Sequence, residues 1–400
     1  MNSFPTAYLN SNDGTSLLAF GEGEQLILEA ENPFDQIQAF IDRNEGKFIF
    51  TCLSYDLKND IEDLSSQNFD GVQFPKALLW VPKYVVEIDN SDVEFIQGET
   101  TAESKSFVED FLKVQQRTEH ESYSIQLEPR TTKEEYLAHV THLKEEIQLG
   151  NIYEVNYCQE FFAENVEIPE PLNAYFKLNS ITKAPYSAYF NSGDFILMCG
   201  SPELYISRTE NNLTSSPIKG TSKRGTTKEE DELLKNQLLN DPKERSENVM
   251  IVDLVRNDLS KIATKNSVQV DELFGIYTFE TVHQMISTIS CQVDPAMSFT
   301  DILKATFPMG SMTGAPKIGA MQLIEQHEDF KRGLYSGSIG MIAPNGDFDF
   351  NVIIRSLIYN KRTKYLSCSV GGAITIKSIP ENEYEECEVK VKRIINAMNA

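Results

Sequence analysis

Four hundred residues with 40% hydrophobic content suffice for one large domain or two ordinary ones with a real core. The formal net charge of −24 argues against a nucleic-acid partner, and an anionic substrate has to be drawn in by a local cluster or a metal. No apolar run approaches a membrane span and no charged-then-apolar leader follows Met1-Asn2-Ser3-Phe4-Pro5, so a cytoplasmic location is expected.

The first 120 residues read as a strand-and-loop region. Ser16 to Phe20, Phe48 to Cys52 and Lys83 to Ile88 are short β-type runs, with a helix over Pro33 to Arg43 between the first two. A polar stretch from Gly98 to Glu128, carrying a helix around Ser106 to Gln115, sets a soft boundary before a second unit over 130–395. There Thr132 and Glu135 form a capping box for a helix that buries Tyr136, Val140, Leu143 and Ile147 and stops at Gly150. Strand signals over Tyr186 to Phe190, Phe195 to Cys199 and Leu204 to Ser207 lead to a compact loop, Pro217-Ile218-Lys219-Gly220-Thr221. Helices follow over Thr227 to Leu239, Pro242 to Leu259 and Phe299 to Ala305, and Pro316 opens another. Pro344-Asn345-Gly346-Asp347 turns a hairpin, and a last helix from Pro380 buries Tyr384, Cys387, Val391, Ile394 and Met398. Hairpins in mixed order, without strict βαβ alternation, predict an α+β fold built on large antiparallel sheets.

The six cysteines are scattered without a Cys-x-x-Cys pair and read as reduced core residues. Lys219 is an amine aimed from a compact loop. Partial burial lowers the pKa of such an amine and makes it a nucleophile; the alternative is a solvated surface lysine. Glu244 and Glu247 lie three apart on one helix, Glu383 and Glu386 three apart on another. Two facing pairs make an oxygen cage of the kind Mg²⁺ accepts, whereas either pair alone is an ordinary solvated face. The run Val249 to Val255, apolar nearly all round, predicts a buried first helix. Lys317 at a helix start and Arg355 within the β-type run Val352 to Arg355 offer charge to carboxylates. Tyr335 offers a hydroxyl, and a Gly371-Gly372 turn offers backbone amides. His283 and Glu203 are candidate proton carriers, with a structural histidine and a strand-edge charge as the alternatives.

Taken in order, Ser201-Pro202-Glu203, Pro217-Ile218-Lys219-Gly220-Thr221, Glu247-Asn248-x-Met250-Ile251-Val252-Asp253-Leu254-x-Arg256-Asn257-Asp258, Gly314-Ala315-Pro316-Lys317 and Gly337-Ser338-Ile339-Gly340 resemble the blocks of the chorismate-utilising enzymes, over roughly 130–395. The resemblance implies an anthranilate synthase component I-like fold, with a short form of its N-terminal region over 1–120. Lys219 stands where the anthranilate-forming branch carries alanine. The lysine implies conversion of chorismate and ammonia to 4-amino-4-deoxychorismate, toward 4-aminobenzoate and folate. It also implies Mg²⁺ and a separate glutamine amidotransferase subunit as the ammonia source, since no glutaminase segment stands in this chain.

By the same resemblance Glu247 and Glu386 hold Mg²⁺, completed or supported by Glu244 and Glu383. Lys219 attacks C2 as the C4 hydroxyl leaves, and ammonia then attacks C4 and expels it. Glu203 and His283 carry protons; Gly220, Thr221, Ser311, Tyr335, Arg355, Gly371, Gly372 and Ala373 position the substrate, and Lys317 assists. Two residues depart from the family pattern: Ala373 replaces a third glycine, and Glu154 stands where aminating relatives carry glutamine and water-using ones lysine. An anthranilate- or isochorismate-forming enzyme, or a non-catalytic chorismate-binding or docking subunit, are the alternative readings.

Overall fold

Alternation along the strands decides the layers. In the strands Thr6–Asn10 and Thr15–Phe20, Ala7 and Ala19 enter one core while Tyr8, Leu18 and Phe20 enter a second on the opposite face. Leu197 and Cys199 divide from Ile196 and Met198 in the same way along Phe195–Ser201. A sheet apolar on both faces has to be covered on both. The computed structural model, which describes residues 4–29, 32–90, 92–117, 122–280 and 282–399, shows how. One face packs on a second sheet. The other is covered by the helices Ala102–Gln115, Lys133–Leu149, Pro171–Thr182 and Pro380–Asn399.

The first sheet has eleven strands. It runs from Gly314–Ala315 through Glu154–Ala163 and Tyr365–Ile374 to Thr6–Asn10, Thr15–Phe20 and the far edge at Asp92–Gln97. The second has ten, from Ile218–Lys223 at one edge through Val282–Gln292 and Ser338–Ile342 to Ile49–Leu53 and Gln25–Leu28. Pairing between the named strands is antiparallel throughout, so the expected α+β class with large antiparallel sheets holds. Strands from the first hundred residues enter both sheets: Thr6–Asn10 pairs with Tyr186–Asn191, and Ile49–Leu53 with Ser338–Ile342. The boundary expected near residue 120 coincides with no break in either sheet.

Helix ends fall where side chains supply caps. Thr132 and Glu135 form the capping box of Lys133–Leu149, and Gly150 closes that helix at φ 82. All six cysteines are free and buried. Among the described residues no helix is long and apolar enough to cross a membrane. Met1 to Ser3, where the leader reading begins, lie outside the described residues.

Candidate active site

The exposed edge of the second sheet meets the end of the first at Lys219. Ile218 pairs with Ile286 but Thr221 with Gln284, so the edge strand Ile218–Lys223 carries one extra residue at Lys219-Gly220. Such a bulge re-aims a side chain, and Gly220 takes the φ of +99 that it needs. The segment is therefore a bulged strand and not the expected loop. The lysine crosses to the first sheet, where Nζ lies 2.9 Å from Oε1 of Glu154. Glu154 opens the strand Glu154–Ala163 opposite Ala315, is fully buried, and leaves Oε2 without a hydrogen-bond partner.

This company reverses one expectation. Burial lowers the Lys219 pKa, but Glu154, followed by Glu247 and Glu203, outweighs it, and the amine is held above its ordinary value. Lys219 rests here as an ammonium. Glu203 is 4% exposed, and burial pushes its carboxyl up to about 7 against the opposing pull of Ser311, Lys219 and Arg355. A carboxyl poised near neutrality suits proton transfer.

The four glutamates come from two helices that converge beside the lysine. Asp241 caps Pro242–Ser260 by accepting from the Lys243 and Glu244 amides, and Pro242 occupies the first turn. Glu247 and Glu383 are each 6% exposed. Lys243 Nζ lies between them, 3.8 Å from Glu247 Oε1 and 4.0 Å from Glu383 Oε1. Burial pushes Glu247 up to about 7, opposed by Lys219 and Lys243. Glu386 is more open; burial raises its pKa, but Lys390 at 2.7 Å outweighs that and the net shift is downward. Glu247 Oε1 makes no hydrogen bond, and an ammonium already stands among the acids, so this all-oxygen donor set suits a hard divalent cation. In the arrangement seen, no three acidic or histidine side chains among the described residues are drawn together closely enough to share an ion. The helix itself is less buried than the sequence suggests: Ile251, Val252 and Val255 enter the core, while Val249 is 40% exposed.

Gly371 and Gly372 are not a turn. They lie inside the strand Tyr365–Ile374, opposite Cys158 and Tyr157, with Ala373 opposite Asn156. A side chain at Gly371 would collide with the Cys158 sulfur and the Tyr157 carbonyl. One at Gly372 would reach 3.3 Å from Glu383 Oε2 and 4.0 Å from Glu386 Oε1. The second glycine thus keeps a gap open between sheet and carboxylates.

Arg355 does not continue a β-run. The strand Phe348–Asn351 ends before it, and the arginine turns at φ 53 into Ser356–Asn360. Burial and nearby Arg393 pull its pKa down to about 10, partly offset by Glu203. Tyr335 lies in the turn before Ser338–Ile342, its hydroxyl 3.6 Å from Cys158 Sγ. Ser311, on the short Gly310–Met312 helix, is buried with its hydroxyl acting on the Glu203 carboxyl, and Thr221 is exposed on the edge strand.

Two candidates acquire other partners. Lys317 is neither solvated nor aimed at a ligand. Its side chain is only 11% exposed, and Nζ donates to Asp258, to Thr306 O at 3.1 Å and to Pro308 O at 2.8 Å, so its three protons are spent on the fold. His283 is fully buried, with Nε2 2.9 Å from Asp231 Oδ1 and Nδ1 3.0 Å from Thr278 Oγ1. Both ring nitrogens are engaged away from Lys219, which is not the placement a proton carrier at the lysine requires. Sequence reading missed Lys243 altogether; its only signal was a cation one position before Glu244.

Comparison places this geometry in a known class. Residues 5–396 match the family model described as chorismate binding enzyme, and the chain belongs to that family. Aminodeoxychorismate synthase component 1 of Bacillus subtilis (strain 168) is 30% identical over 96% of this chain and 85% of its own length. The chloroplastic aminodeoxychorismate synthase of Arabidopsis thaliana is 39% identical over 68% of this chain, which spans only 29% of that longer protein. The crystal structure of anthranilate synthase component I from Streptococcus pneumoniae TIGR4 superposes with a TM-score of 0.82 at 26% identity, over 95% of this chain and 92% of that one.

Proposed function

We propose that this chain is the large subunit of an aminodeoxychorismate synthase, converting chorismate and ammonia to 4-amino-4-deoxychorismate. The observation that carries the reading is Lys219, turned by a bulge into a pocket of buried carboxylates, in a chain whose relatives bear that name. Glu247 and Glu386, with Glu244 and Glu383, would hold Mg²⁺, which supplies a Lewis acid for the ring carboxylate and the departing C4 hydroxyl.

The chain's own groups do the rest. Glu154 Oε1, 2.9 Å from Nζ, takes the proton that Lys219 must lose before it attacks C2. Glu203 gives a proton to the C4 hydroxyl, which leaves as water. Ammonia then bonds to C4 and gives up a proton that restores Glu203, the Lys219–C2 bond breaks, and the amine recovers its proton from Glu154. Arg355, half-buried near Glu203, has the charge to meet a substrate carboxylate, and the Ser311 hydroxyl stands beside Glu203. The ammonia source would be a separate glutamine amidotransferase subunit.

A second reading has its own observation: a buried carboxylate at Glu154 is also chemically able to activate water. Product analysis separates the two. With chorismate, Mg²⁺ and ammonium salt the purified chain is expected to form 4-amino-4-deoxychorismate, and Lys219→Ala to lose most of that activity. Anthranilate or isochorismate as the main product, or a fully active alanine variant, would overturn the proposal. Binding of chorismate without turnover at any ammonia concentration would point to a non-catalytic subunit.

A further inference from the structure

Among the described residues, Lys243 is the cation whose ion pairs bridge the two acid-bearing helices. It leaves Pro242–Ser260 in the first turn, reaches Glu247 on its own helix at 3.8 Å and Glu383 on Pro380–Asn399 at 4.0 Å. Glu244 and Glu386 add their charge to the same ammonium. Other nearby cations are already committed, Lys219 to Glu154 and Lys390 to Glu386. Contacts near 4 Å are too long for hydrogen bonds, so the ammonium sits between the carboxylates without docking on either. The Lys243 side chain is 42% exposed, against 8% and 7% for those of Glu247 and Glu383. It is therefore a movable charge over fixed ones, on a flexible stem with water beside it.

We propose that Lys243 is a built-in counter-ion that occupies the acid cluster between turnovers and has to swing out to solvent before a divalent cation can draw the carboxylates together. Two observations support this beyond proximity. The acids are spread around the ammonium, with no three of them gathered as a divalent ion gathers its ligands. Glu247 Oε1, the oxygen that faces Lys243, is buried without a hydrogen bond, ready for a better partner. The consequence is a site whose metal affinity is deliberately weakened. The charge of the carboxylates is partly offset when no metal is present, and metal uptake carries the cost of separating Lys243 from Glu247 and Glu383. The inference rests on the assignment of these glutamates to the metal.

Isothermal titration calorimetry of the full chain with MgCl₂, without chorismate, tests it. Lys243→Met is expected to bind Mg²⁺ roughly tenfold more tightly than the unaltered chain, because a cation no longer competes and no longer repels the arriving ion. Lys243→Arg is expected to stay within about twofold of the unaltered chain. Without metal, Lys243→Met is expected to melt at lower temperature, and to gain more from added Mg²⁺ than the unaltered chain does. If the methionine variant does not fold, Lys243→Gln is read by the same criterion. Unchanged or weaker Mg²⁺ affinity in the neutral variant overturns the inference. Glu247→Gln separates the two levels. If it abolishes Mg²⁺ binding while the neutral lysine variant fails to tighten it, only the role of Lys243 falls. If it leaves binding intact, the metal assignment falls and takes this inference with it.

Discussion

At the scale of single residues, charge neighbourhood decides chemistry more than burial does. Lys219 and Lys317 are both largely covered lysines in glycine- or proline-containing segments, yet their pKa values move in opposite directions. Lys317 meets one aspartate and two carbonyls, and burial prevails. Lys219 meets Glu154, Glu247 and Glu203, and the acids prevail. Glu203 shows the same competition won by burial. Its carboxyl binds a proton more tightly in the fold, at about 7, than at its ordinary value of 4.5. The stability this proton contributes is full below about pH 4.5 and is lost as pH rises through 7. Glu203→Gln removes that dependence. The loss of unfolding free energy between pH 5 and pH 8, measured with denaturant, should shrink in the variant by up to about 3 kcal/mol. An unchanged difference between the two pH values would show that the carboxyl does not titrate there.

At the scale of elements, two devices build the site, and both are backbone devices. The bulge in Ile218–Lys223 turns one lysine toward the other sheet. The glycines of Tyr365–Ile374 remove side chains where Pro380–Asn399 crosses the strand. Gly371→Ala forces a methyl into the Cys158 sulfur and the Tyr157 carbonyl, so a cost of about 2 kcal/mol is expected, read as a lower melting temperature. A variant as stable as the unaltered chain would mean the two strands can separate there. Helices proved far more legible than strands. The capping box at Thr132 and Glu135, Pro33 and Pro242 at helix starts, and the spacing of Tyr384, Cys387, Val391, Ile394 and Met398 are local signals, and the observed helices follow them. Pro171–Thr182 escaped because Glu170 makes no side-chain cap and the helix is buried along most of its length. The strand Val282–Gln292, paired with three different partners, has no alternation to read because both its faces are covered.

At the scale of the whole molecule, strands from both sequence regions share both sheets. Thr6–Asn10 joins Thr15–Phe20 to Tyr186–Asn191 in the first sheet, and Ile49–Leu53 sits against Ser338–Ile342 in the second. Expressed alone, residues 121–400 would leave both those edges unpaired and bare the core that Phe34, Ile37, Phe50 and Leu78 now fill. We expect that fragment to be insoluble or to lack a cooperative melting transition. A monomeric, cooperatively melting fragment would show the first 120 residues to be dispensable.

The order of short motifs was enough to point to the family and to single out Lys219 and the four glutamates as candidates, because those depend on residue type and spacing along one element. Which groups face one another depends on sheet register and on how helices cross sheets, and that is long-range information. So it took the folded chain to set Glu154 against Lys219, to place Lys243 among the glutamates, and to turn Lys317 and His283 toward partners of their own.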